Sequence, residues 1–130
     1  MNAISIVSAL ALGVWVMSST VFAHHSEALF DANKRVTIIG SIQSAEWSNP
    51  HGRITLNVET VDGQSTAQPE LWVIETDAPG KLKRLGWTQH TLTPGDRITL
   101  DISPMRSTSR RGFARDLTWV NGNAMAGLKR

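Results

Sequence analysis

Two adjacent histidines, His24 and His25, follow Ala23 directly. If the chain is cut after Ala23, His24 becomes the first residue and exposes an α-amine with a pKa of about 7.7–8.0, an available nitrogen ligand near neutral pH. Two chelates follow from this. The amine and the Nδ1 of His24 can grip a metal in a six-membered ring. Alternatively, the amine, the deprotonated amide of His25 and the His25 imidazole form fused rings. Tetragonal, nitrogen-rich sites favour Cu(II) or Ni(II), and Cu(II) heads the affinity order, so Cu(II) is the expected cofactor. A third imidazole is expected from His51, on the turn Ser48-Asn49-Pro50-His51-Gly52. Zinc fits less well, because a structural zinc site uses four side-chain ligands. The plain alternatives are a solvated His-His pair that serves processing, and a His51 that caps its turn or hydrogen-bonds to backbone. His90 is expected at the surface.

A second constellation is basic: Arg106, Arg110, Arg111 and Arg115, joined by Lys81, Lys83 and Arg84. It suits an anionic ligand or a partner protein of the cell envelope. Glu46, Glu59, Glu70, Glu75 and Asp77 run through the same region and would repel phosphates. With a formal net charge of only +2, no general case for nucleic-acid binding arises. Enzyme signatures are missing: the sequence carries no nucleophile elbow, phosphate-binding glycine loop or His-Glu-x-x-His pair. Glu75, as a strand carboxylate without an identified partner, is too little for catalysis, so the expectation is a binding module and not an enzyme.

Residues 1–23 explain why His24 would be terminal. They carry no charged side chain, Ile4 to Val16 is almost wholly apolar, and Val21-Phe22-Ala23 supplies an A-x-A-like cleavage site. The apolar run falls short of the roughly 20 residues that a spanning helix needs. A cleaved secretion signal is therefore expected, with the mature chain in the periplasm and membrane contact only before cleavage. The absence of cysteine rules out disulfides and thiolate ligands, leaving nitrogen and oxygen donors for any metal.

Residues 24–130 read as one domain. His24 to Lys34 is a polar arm that packs through Leu29 and Phe30. Strands are expected over Val36 to Ile42, continuing irregularly to Trp47, then Arg53 to Glu59, Leu71 to Thr76, Arg97 to Ser103 and Phe113 to Val120, from their alternating apolar residues. Gly40 marks a bulge or bend, Gln64 to Glu70 a polar connection, and Asn121-Gly122 the start of a last hairpin. The third strand has apolar residues on both faces and is expected to be covered on both. Between it and the fourth, Thr76 or Asp77 can cap a short helix, with Pro79 in its first turn, Leu82 and Leu85 as an apolar pair and Gly86 at its end. Five strands with one helix between the third and fourth is the order of an OB-fold-like barrel. The four tryptophans beyond residue 23 are expected as core and rim residues, with Trp47 and Trp72 available as stacking surfaces.

The run Ala23-His24-His25-Ser26, then Phe30-Asp31 and Val36-Thr37 with Gly40, resembles the start of a family of small exported bacterial proteins of unknown function. The resemblance continues through Trp47-Ser48-Asn49-Pro50-His51, Trp72, Glu75 and Leu82. It reaches Arg84-Leu85-Gly86-Trp87, Leu92-x-Pro94-Gly95-Asp96, Pro104-x-Arg106 and Gly112. It implies a periplasmic OB-like domain and no established activity. In such sequences a bulky apolar residue often follows the Asn-Pro-His turn, where this chain has Gly52.

Overall fold

A computed structural model describes residues 28–119, and the expected signal, His24, His25 and the Asn121-Gly122 hairpin lie outside the described residues. Within it the chain forms β1 (Val36–Glu46), β2 (Arg53–Val61), β3 (Gln64–Glu75), the helix α1 (Pro79–Arg84), β4 (Arg97–Pro104) and β5 (Arg111–Trp119). The strands close into a barrel in the order β1-β2-β3-β5-β4. All neighbours are antiparallel except β3 and β5, which run parallel over three residue pairs. This is the expected five-stranded, OB-like order with its helix between β3 and β4.

Alternation builds the core. Val36, Ile38 and Ile42 of β1, Ile54, Leu56 and Val58 of β2, and Ile98, Leu100 and Ile102 of β4 all point inward and are buried. Gly40 lies on the same buried row where the register slips by one residue against β2. A Cβ there would overlap the backbone carbonyl of Asn57, so the bulge draws the two strands closer than any side chain permits. Leu82 and Trp87 from α1 and its exit complete the core, while Leu85 remains exposed.

Three local expectations need correction. Gln64 to Glu70 is not a connection but the first half of β3, paired with β2 after a tight turn in which Asp62 and Gly63 both adopt positive φ. Its side chains are nearly all exposed because this end of the hairpin has no core to cover. For the same reason β3 is not covered on both faces: Ile74 is fully buried, but Leu71 is 56% exposed. Neither Thr76 nor Asp77 caps α1. Ala78 holds the N-cap position with no side-chain hydrogen bond, and the Asp77 carboxylate instead pairs with Lys81 at 3.1 Å, one turn along.

The contact at Gly40 yields a direct test. Gly40→Ala is expected to destabilise the barrel by about 1–3 kcal/mol, the usual range for overfilling a packed site, measured by urea unfolding.

Candidate functional site

β5 emerges from the closure with Gly112 and Ala114 buried and Phe113 between them on the opposite face. Phe113 is 2% exposed yet lies outside the barrel core cluster. Phe30 covers it, with ring centroids 5.8 Å apart and planes tilted by 55°. The His51 ring meets Phe113 edge-on, at 5.7 Å and 85°. The Arg115 guanidinium carbon sits 5.5 Å from the same centroid, within cation–π range. Three elements distant in sequence therefore converge on one aromatic ring: the arm, the β1–β2 loop and β5.

The arm is held by backbone as well as by Phe30. The Asp31 N–H donates to the Pro104 carbonyl at 2.8 Å, and the Arg106 N–H donates to the Leu29 carbonyl at 2.9 Å. Leu29, expected to pack beside Phe30, points to solvent at 53% exposure. A short run of arm backbone thus pairs with the segment after β4, and one large side chain seals it.

His51 is half-buried, and its Nδ1 lies 3.1 Å from the carbonyl oxygen of Thr76. A carbonyl only accepts, so in this contact Nδ1 is the donor. The loop that carries His51 is stitched to the same segment. The Thr76 N–H donates to the Gly52 carbonyl at 2.9 Å, and the Gly52 N–H to the Asp77 carbonyl at 3.4 Å. A Cβ on Gly52 would lie 2.6 Å from Thr76 Oγ1, so a bulky residue at this position would push the His51 loop off β3. Among the described residues no group of three or more His, Cys, Asp or Glu side chains converges as a metal site. Of the expected metal ligands only His51 is described.

The expected basic loop is extensively neutralised. Arg110 forms a two-pronged pair with Glu70 at 2.9 Å per contact, Arg111 pairs with Glu75 at 3.0 Å, and Arg106 approaches Asp31 at 3.9 Å. Arg115 donates through Nε to the buried Ser103 hydroxyl at 2.8 Å. Glu75 thus gains the partner that the sequence did not reveal, although the Arg111 Nε is buried without an acceptor among the described residues. Lys81 pairs with Asp77, while Lys83 and Arg84 are exposed on α1. His90 is exposed, as expected. Trp72 donates to Glu70 at 3.3 Å, and Trp47 with the buried Trp87 lines an open cleft beside α1. Trp72 does not line that cleft.

Fold and site together describe a small closed barrel whose sidewall gathers an N-terminal arm and a loop histidine on one phenylalanine. The chain belongs to the Family of unknown function (DUF6152), whose model matches residues 12–115. No curated protein and no solved structure matches the chain.

The Glu70 pair carries a pH prediction. Hydrogen bonds from Arg110 first, and from Trp72 second, hold the Glu70 carboxyl below the usual glutamate range. A carboxyl with a depressed folded pKa adds stability above its unfolded value, and that stability fades as pH falls through the folded value. Glu70→Gln is therefore expected to lower stability at pH 7 and to match the unmodified protein in acid, below the usual glutamate range. Thermal melts across pH 2–7 check this, and a difference that persists unchanged in acid contradicts it.

Proposed function

We propose that this chain is an exported, periplasmic binding module that holds Cu(II) between its processed N-terminus, at His24 and His25, and the imidazole of His51. The observation that carries the reading is the contact between His51 Nδ1 and the Thr76 carbonyl at 3.1 Å. Donation from Nδ1 to a backbone carbonyl is the usual support for a metal-bound histidine, because it orients the ring. The arm supplies the second element. Because the Phe30 and His51 rings both contact Phe113, at 5.8 and 5.7 Å, they lie no more than about 12 Å apart, whereas the chain from His24 to Phe30 spans up to about 20 Å. That length of chain is enough to cover the distance from Phe30 to the loop histidine.

Cu(II) suits these donors, since an α-amine, an amide nitrogen and imidazoles make the nitrogen-rich, tetragonal set it prefers. Binding rather than catalysis is the function proposed. The alternative, an anionic ligand or envelope partner on the basic loop, draws less support because Arg106, Arg110 and Arg111 already face carboxylates.

The test starts with protein processed in the periplasm, whose intact mass should show His24 as its first residue. In competitive titration it should bind Cu(II) more tightly than a free His-His peptide. His51→Ala should weaken binding about tenfold or more, which corresponds to about 1.4 kcal/mol per decade. A different mature terminus, or an affinity no better than the peptide's, sinks the proposal.

A further inference from the structure

We propose that the cleft beside α1 is a separate binding site for a small zwitterion with an apolar side chain, the chemistry of a free hydrophobic α-amino acid. The apolar part lies between Trp47, Leu82 and Trp87, and Glu46 with Arg53 at the mouth reads the charged head. Neither Phe113 nor His51 lines this cleft, and the site needs neither the N-terminus nor a metal.

The walls are apolar because they are the end of the core. Leu82, Trp87 and Leu92, from α1 and its exit, stand on one side, and Ala45 with Ile54, register partners on β1 and β2, on the other. Leu82, Trp87, Leu92 and Ile54 are buried members of the core cluster, and the half-buried Trp47 packs against it. An open recess with such walls favours an apolar occupant, since covering them removes apolar surface from water.

The mouth supplies the second half of the recognition. Glu46 and Arg53, the next register pair along β1 and β2, also line the cleft. They meet through a single contact at 3.5 Å, with their side chains 54% and 50% exposed. The other three arginine–glutamate pairs among the described residues close at 2.9–3.0 Å. Arg53 thus keeps N–H donors, and Glu46 an oxygen, with no partner among the described residues. A positive and a negative group side by side give no net attraction for an ion of one sign; they complement a ligand that carries both. In an α-amino acid the ammonium nitrogen and the carboxylate carbon are about 2.5 Å apart. The ammonium can therefore face Glu46 while the carboxylate takes the Arg53 fork. The side chain on the same carbon then enters the cleft.

The experiment is a heteronuclear NMR titration of the processed protein, in metal-free buffer, with free leucine. Two smaller analogues serve as controls: isocaproate, which lacks the ammonium, and isoamylamine, which lacks the carboxylate. Leucine is expected to give saturable shifts at the Trp47 and Trp87 indole N–H signals, and each analogue to bind about tenfold more weakly. Glu46→Gln should bring leucine down to the level of isocaproate while its preference over isoamylamine survives. Arg53→Gln should do the reverse. Both side chains are half exposed, so neither change threatens the fold, and a merely structural effect would not exchange the two preferences. The absence of a saturable shift with leucine, equal binding of all three ligands, or preferences unchanged in both variants overturns the proposal. None of these outcomes bears on the copper reading, because no metal is present.

Discussion

The structure depends on how the barrel closes. β3 and β5 meet over three parallel pairs, Val73 with Arg111, Ile74 with Gly112 and Glu75 with Phe113, and this short seam joins the β1-β2-β3 meander to the β4-β5 hairpin. Alternation along β5 then buries Gly112 and Ala114 on one face and turns Phe113 to the other. A phenylalanine on the outside of a barrel needs cover, and Phe30 with the His51 ring provides it. The closure therefore fixes the core and the place where two distant segments come together.

The same seam explains the arginines. Arg111 enters β5 opposite Val73, two residues before Glu75 along β3, and Arg110 ends the preceding loop within reach of Glu70. These are exposed or half-exposed pairs, and water screens such pairs so that they stabilise little. Their geometric effect is clearer than their energy: they tie the loop between β4 and β5 to β3 and turn basic side chains inward on carboxylates. The formal charge of the loop thus overstates its attraction for an anionic partner.

Much of the barrel was legible in the sequence because its signal is local. Ile54, Leu56 and Val58, and again Ile98, Leu100 and Ile102, alternate cleanly, and Pro79 with Gly86 brackets the helix. Gln64 to Glu70 was not legible as a strand, since it is exposed on both faces and held by pairing with β2 rather than by burial. At the site, Phe30 was visible as a lone aromatic in a polar arm, and His51 as a histidine on a turn. Their meeting on Phe113 was not, because it joins residues more than sixty positions apart through a seam that no local pattern encodes. The carboxylate partners of Arg110 and Arg111, also distant in sequence, were hidden for the same reason.

We propose one copper ion held jointly by the processed N-terminus and His51. Anomalous diffraction at the copper edge, from crystals of the processed protein loaded with one equivalent of Cu(II), tests it most directly. A single peak is expected with His51 Nε2 and the α-amine of His24 both in its coordination sphere, and His51 Nδ1 still bonded to the Thr76 carbonyl. A copper peak held by the terminus alone, with the His51 ring uncoordinated, would contradict it.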